Sequence, residues 1–430
     1  MKRKIYNKLK KWKQKDNRKP LLLLGARQVG KTWIMKEFGR AEYKQVAYVN
    51  CDDDPRVKTL FETDYNIERI TLTLQAITGI PIEENDTLIV FDEIQEAPRG
   101  LHSLKYFCEN APKLHVMAAG SLLGITLGQN TSFPVGKVDM LNLYPMDFEE
   151  FLEALGQDAW IKLLHTKDWT LIEGMKTKLI EFLRLYYFVG GMPEAVAHFI
   201  KKRDLAEVRN IQSQILAAYR NDISKHASAR ESIRIGQIFN SLPSQLAKEN
   251  KKFIYGLIKE GARAADYELA IQWLMDAGIV YKATRIRSPR MPLKFYEDPG
   301  AFKLFPLDCG LFACMADTSA EQILVNPDVF VEFKGALTEV FVMQQLKAAD
   351  MTPFYWSNDK TPAEIDFVLQ YDNRTLPIEV KAAENVRSRS LQQFIKDNPE
   401  LKGLRISMRG YVDQEWMENV PLYAFGVYFK

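Results

Sequence analysis

The chain has 430 residues, 47% of them hydrophobic and 26% charged, which is ample material for several packed cores and excludes collagen-like, mucin-like and wholly disordered organisations. Fifty-eight Lys and Arg against fifty-five Asp and Glu leave a formal charge of +3, so global charge selects no partner and any nucleic-acid surface must be a local patch. Four scattered cysteines and five scattered histidines show neither a disulfide framework nor zinc-ligand spacing, and no run reaches the ~18 apolar residues of a membrane span. A cytoplasmic protein with no membrane segment is expected.

Residues 1–20 carry ten Lys or Arg against Asp16 alone. Ile5, Leu9 and Trp12 fall on one helical face. Two readings are open, a nucleic-acid arm and a solvated helix docked through Trp12.

The apolar run Leu21–Leu24 is too short for a core helix and leads at once into Gly25-Ala26-Arg27-Gln28-Val29-Gly30-Lys31-Thr32, a G-x-x-x-x-G-K-T string after a strand. The glycines let backbone N–H groups turn around a β-phosphate, Lys31 brings a point charge to the β/γ oxygens, and the Thr32 hydroxyl ligates Mg²⁺. The following helix, from Trp33, directs its positive end at the phosphates. Residues 87–93, Thr-Leu-Ile-Val-Phe-Asp-Glu, form a second strand ending in two carboxylates. Asp92 is expected in the Mg²⁺ shell and Glu93 as the general base toward water. A strand at Gln45–Asn50 is expected to be inserted between the loop strand and the acidic strand, the topology of the NTPase division that uses a catalytic glutamate. A run at 114–119 ends in Gly120-Ser121; Ser121 is either a γ-phosphate sensor or a helix N-cap. Residues 138–143 complete a parallel sheet.

These strings, together with Phe91-Asp92-Glu93-Ile94-Gln95-Glu96, Leu143-Tyr144-Pro145 and Phe148-Glu149-Glu150-Phe151, resemble bacterial and archaeal AAA-type ATPases that bear a C-terminal domain of unknown function. The likeness extends through Tyr187-Phe188-Val189-Gly190-Gly191-Met192-Pro193-Glu194 and Tyr219-Arg220-Asn221-Asp222-Ile223-Ser224-Lys225 to most of the chain. It implies ATP, with Mg²⁺, as the nucleotide, and oligomerisation with an arginine finger. Here the chain departs from the pattern, with Lys137 after Gly136 where many relatives carry arginine; an ammonium lacks the planar fork. Arg27, Arg99 and Arg220 are other sources of positive charge.

Residues 149–230 read as a helical lid, with Gly190-Gly191 before Pro193 either a hinge or a plain turn. Two periodic helices at 233–246 and 264–277, then alternating Val280, Lys282, Thr284 and Ile286, give a winged-helix pattern over 231–310. Lys248, Lys251, Lys252, Lys259 and Arg263 precede its second helix, and Arg285, Arg287, Arg290 and Lys294 fall in the wing. Contact with DNA phosphates and packing as an ATPase lid are both open.

From Gly335 the order is helix, three strands, helix, strand. Glu339 lies on the helix, Asp366 in the second strand, and Glu379 and Lys381 share a face of the third. Order and spacing resemble the PD-(D/E)XK, restriction-endonuclease-like core, in which such carboxylates hold Mg²⁺ or Mn²⁺ while a lysine polarises water. The expected protein is therefore α/β and multidomain: a P-loop ATPase (1–148), helical lid (149–230), winged helix (231–310) and nuclease-like domain (311–430). ATP hydrolysis coupled to DNA engagement, with Mg²⁺-dependent cleavage at Glu339, Asp366, Glu379 and Lys381, is one expectation. The alternative is a nucleotide-controlled switch whose nuclease-like domain is inactive and recruits a protein partner.

Overall fold

The computed structural model describes every residue except 98, 122, 129–133, 249–251, 326–330, 385–386 and 430, so Lys251 lies outside the described residues. The chain divides into two compact units, Met1–Tyr144 with Asp276–Gly278, and Pro145–Met275 with Ile279–Lys430.

The first unit is built on five parallel strands: β1 (Leu21–Leu24), β2 (Gln45–Asn50), β3 (Thr87–Asp92), β4 (His115–Ala119) and β5 (Asp139–Asn142), in spatial order β2-β3-β4-β1-β5. All residues of β3 and β4 are buried, which is why both read as continuous apolar runs rather than alternating ones. The strand lying between the loop strand and the acidic strand in space is β4, while Gln45–Asn50 is the edge; Leu22 pairs with Ala118, and Phe91 pairs with the same Ala118 from the other side. This brings the tips of β1, β3 and β4 together at the carboxyl end of the sheet, where open α/β sheets bind ligands. Leu22, Ile89, Phe91 and Val116 join Phe61 and Phe107 from the connecting helices in the core.

The N-terminal helix Ile5–Lys13 buries Ile5, Leu9 and Trp12, and the Trp12 indole N–H donates to the Lys19 carbonyl at 2.9 Å. The docked reading of this basic segment is the one the geometry supports.

In the second unit, helices from Phe148–Ala154 to Ala229–Leu246 precede a mixed sheet. Gly190-Gly191 is a tightly held turn. A Cβ on Gly190 would lie 2.2 Å from Asp308 Oδ1, and one on Gly191 would lie 2.0 Å from the Met146 carbonyl oxygen. The buried Asp308 carboxylate accepts from Gly191 N–H at 2.6 Å, Gln344 Nε2 at 2.9 Å and Leu311 N–H at 2.9 Å.

The sheet has eight strands: β6 (Val280–Ile286), β7 (Glu297–Pro306), β8 (Phe354–Ser357), β9 (Glu364–Tyr371), β10 (Arg374–Val380), β11 (Gly403–Ser407), β12 (Val412–Asp413) and β13 (Met417–Pro421), ordered β12-β13-β11-β10-β9-β8-β6-β7. The hairpin expected as a wing is β6–β7, and it continues into the C-terminal strands because β6 pairs in parallel with β8, Thr284 opposite Phe354. The boundary expected at 310/311 thus divides strands that belong to a single sheet. The short strands β12 and β13, beyond those read from the sequence, extend it past β11.

Candidate functional site

Lys31 opens the helix Lys31–Glu42, whose preceding residue Gly30 has φ +96°, and Gln28 within the loop also has a positive φ of 68°. Gly25, at φ +145°, passes so close to the β5 end that a Cβ would lie 2.3 Å from the Leu143 carbonyl oxygen. Only glycine satisfies both that conformation and that approach. Lys31 is 5% exposed, and its ammonium folds back to donate to the Gly25 and Ala26 carbonyls, each at 2.8 Å. Burial draws its pKa down to about 8, with Glu93 and Asp92 opposing the fall.

Thr32 Oγ1 donates to Asp92 Oδ2 at 2.6 Å, and the same oxygen accepts from the Tyr48 hydroxyl at 2.9 Å. A hydroxyl and a carboxylate touching beside a buried ammonium are a hard-oxygen donor set suited to Mg²⁺ shared with phosphate. Among the described residues no three Asp, Glu, His or Cys side chains gather as a metal cage. The residues present therefore fit Mg²⁺ with a nucleoside triphosphate.

Glu93 follows Asp92 in a left-handed conformation, φ 50°. Its carboxylate accepts from Ser121 Oγ at 2.7 Å, Ser121 N–H at 3.1 Å and Gln95 Nε2 at 2.7 Å. Burial alone would raise its pKa; the bonds from Gln95 and Ser121 and the Lys31 charge outweigh burial and hold it below the ordinary glutamate range. Ser121 thus stands at the tip of β4, with its hydroxyl and its N–H committed to Glu93.

The other expected cations are engaged elsewhere. Lys137 pairs with Glu109 at 2.9 Å on the surface. Arg99 lies over the Tyr65 ring, 4.4 Å from its centroid, and donates to the Tyr65 hydroxyl at 2.9 Å. Arg220, in the second unit, reaches Asn240 at 3.3 Å. Arg27 is half-buried in the loop itself.

In the second unit the four C-terminal residues come into one neighbourhood. Ile378 pairs with Phe367, so Glu379 and Asp366 are next on adjacent strands, and Asp366 Oδ2 accepts from the Val380 N–H at 2.7 Å. Lys381 Nζ is 3.2 Å from Glu379 Oε1, as their shared face requires. Burial raises the Glu379 pKa and Asp366 adds to the rise, against the Lys381 charge. Sequence reasoning missed Lys303 of β7. It is fully buried, ion-paired with Glu364 and 3.9 Å from Glu339 Oε2. Burial opposes its charge, yet Glu364, Glu339 and Asp366 together push its pKa up. Its only signal was a lysine between Phe302 and Leu304 in an apolar strand.

The expected DNA-contacting cations divide. Lys248, Lys252, Lys259 and Arg263 are exposed, whereas Arg285 is largely buried and bound to Asp298, Nε to Oδ2 at 3.0 Å, and to Asp359. Two further groups escaped the sequence. Gln95 is one; the other is Arg3, 8% exposed, which donates to the Val29 carbonyl of the phosphate loop at 3.0 Å and to the Tyr144 carbonyl at 2.6 Å.

Comparison with known proteins assigns three segments. Residues 17–152 match a family described as an AAA domain, residues 180–322 a domain of unknown function (DUF8612), and residues 334–427 a domain of unknown function (DUF4143). No curated protein matches the chain. Among solved structures it is similar to the Walker-type ATPase PABY2304 of Pyrococcus abyssi at 13% identity and TM-score 0.44, covering 72% of this chain and 94% of that one. Similarity to the Aeropyrum pernix ORC1 protein in complex with DNA is at 12% identity and TM-score 0.27, covering 73% and 90%. To the Drosophila ORC bound to DNA it is at 14% identity and TM-score 0.27, covering 69% and 89%. Likenesses this loose leave the assignment of an AAA-type P-loop ATPase domain to the family match and to the architecture of the loop and sheet. No helix among the described residues is long and apolar enough to cross a membrane.

Proposed function

We propose that the AAA-type P-loop ATPase domain binds and hydrolyses Mg-ATP, and that the second unit couples this cycle to DNA. The backbone from Gly25 to Gly30 cradles the phosphates. Lys31 exchanges two neutral carbonyl partners for phosphate oxygens, which restores the full charge that burial weakens. Thr32 and Asp92 hold Mg²⁺, which when bound neutralises charge on the β/γ oxygens. Glu93 accepts the proton of the attacking water, and Ser121 and Gln95 fix its carboxylate. The single observation that carries the hydrolysis in this reading is the triple hydrogen bonding of an ionised, half-buried Glu93 beside the Lys31-Thr32-Asp92 cluster.

Phosphate release from Mg-ATP by wild type, Glu93→Gln and Lys31→Ala tests it. Glu93→Gln should lower turnover by about 10²–10⁴-fold while keeping nucleotide binding, and Lys31→Ala should lose binding. Wild-type turnover in Glu93→Gln would remove Glu93 from the mechanism.

For the PD-(D/E)XK-like elements, Lys303 favours one part of the alternative reading, a nuclease-like domain that does not cleave, and the coupling to DNA does not require cleavage. Lys303 and Lys381 already neutralise half of the four carboxylates Glu339, Glu364, Asp366 and Glu379. Mg²⁺-dependent degradation of DNA by wild type but not by Asp366→Ala would reverse this preference.

A further inference from the structure

The segment joining β6 to β7 holds three of the cations that the sequence places in the wing. Between Ile286 and Glu297 it carries Arg287, Arg290 and Lys294 and no acid. It is anchored at three points. Leu293 is fully buried against Ile286, Phe354 and Val368. Thr375 Oγ1 donates to the Pro289 carbonyl at 2.6 Å, and Arg287 N–H donates to the Tyr296 carbonyl at 2.9 Å. The turn Leu293–Tyr296 then places Phe295 outward. Phe295 is 83% exposed, the highest value among the exposed large hydrophobic side chains of the described residues, and its ring meets Tyr296 edge-on with centroids 5.9 Å apart.

Leaving a whole aromatic ring in water on a well-anchored loop gives the fold nothing, since the burial of Leu293 already secures the segment. The charge around it is unspent. Arg290 and Lys294 are exposed and have no ion-pair partner among the described residues. Arg287, with a side chain 71% exposed, has among the described residues one ion-pair partner, Asp298 at 3.6 Å, a carboxylate already bound by Arg285. An exposed π-face among cations on a fixed backbone is the arrangement that binds single-stranded nucleic acid, where bases stack on the ring and phosphates meet the charges. A duplex keeps its bases stacked inside and offers the ring nothing without a kink. A protein partner covering Phe295 would have to bring acids for three cations as well as an apolar pocket.

We propose that the Arg287–Tyr296 loop is a single-stranded nucleic-acid platform on which Phe295 stacks a base and Arg287, Arg290 and Lys294 hold the flanking phosphates. This rests on the proposed coupling to nucleic acid and names both the surface and the form of the strand.

The test is fluorescence anisotropy of the full chain with a labelled oligothymidylate and with a duplex of equal length, over a range of salt. Wild type should prefer the single strand. Phe295→Ala should weaken it roughly five- to hundred-fold without changing the salt dependence, and Phe295→Trp should retain it. Arg290→Gln with Lys294→Gln should flatten the slope of log affinity against log salt by about 1.4, or ~0.7 per lost phosphate contact. Unchanged melting temperatures in all variants show that they are folded. If wild type binds the oligonucleotide and every variant binds equally well, this inference falls while coupling to nucleic acid stands. If wild type binds neither strand form, both fall. If Phe295→Ala leaves binding intact but dissociates a dimer in sedimentation, the loop is a self-association surface and the platform is overturned.

Discussion

Lys31 and Lys303 are both buried ammoniums set among acids, and their nearest partners separate them. Lys31 donates to two neutral carbonyls of its own loop, and burial brings its pKa down to about 8. Lys303 is ion-paired with Glu364, with Glu339 close by, and its charge is reinforced despite complete burial. A lysine satisfied by neutral dipoles holds unspent charge for an arriving anion. A lysine already clasped by carboxylates gains little from another anion and spends those carboxylates against a cation. The same residue type therefore marks a site prepared for phosphate in one unit and a closed ion-pair network in the other.

The strongest way to break this contrast is Lys303→Met. If the network is closed, its removal leaves the buried Glu339 and the half-buried Glu364 without their ammonium, and the fold should lose about 3–5 kcal/mol in denaturant unfolding. Adding Glu364→Gln to that variant should return part of the loss, because one of the two carboxylates left without their ammonium is then neutral. The Lys303 pKa is raised on folding, so its contribution is complete below the ordinary lysine value and is lost only as pH climbs through the raised one; at neutral pH it is present in full and adds no pH dependence to stability. A Lys303→Met protein as stable as wild type would mean that the acids are solvated and available to metal.

The second test sharpens the phosphate side. Glu93 has a lowered pKa, so its contribution to stability is present above the ordinary glutamate value and is lost as pH falls through the lowered one. Ser121→Ala removes one of its bonds while burial remains, and the Glu93 pKa should rise. The acid limb of the turnover profile should move to higher pH, with kcat down about ten-fold at neutral pH for a carboxylate held less firmly. An unmoved acid limb in Ser121→Ala would show that Ser121 does not position Glu93 and would return it to the role of a plain helix cap.

How far the sequence reveals each site follows from how each is built. The phosphate loop is contiguous, so Gly25 to Thr32 are legible in one string, and Asp92-Glu93 are legible as the end of an apolar strand. The residues that tune them are not. Ser121 reaches Glu93 across 28 positions, and Tyr48 reaches Asp92 across 44. Their pairing depends on strand order, and β4 rather than the intervening strand of the chain lies between β1 and β3. The C-terminal unit was legible as strands and acids, since hairpin β9–β10 is local. Its extension through β6 and β7 was hidden in a parallel pairing that joins Thr284 to Phe354, and Lys303 arrives with that extension.

The smallest effect belongs to Arg3, which the sequence offered only as one of ten N-terminal cations. Its guanidinium forks between the Val29 and Tyr144 carbonyls, tying the phosphate loop to the end of β5. Because Ile5, Leu9 and Trp12 keep the helix docked by burial, Arg3→Ala should cost only about 1 kcal/mol of stability. The informative readout is kinetic. Losing the brace frees the Val29 peptide, so the loop must be ordered when nucleotide binds, and KM for ATP should rise about three- to ten-fold with kcat nearly unchanged. Arg3→Lys should behave like Arg3→Ala, because one ammonium cannot reproduce the planar fork that reaches both carbonyls. If KM stays at the wild-type value in both variants, the loop holds its shape through Gly25, Gly30 and the Lys31 bonds alone, and the contrast between a prepared phosphate site and a closed ion-pair network owes nothing to the N-terminal helix.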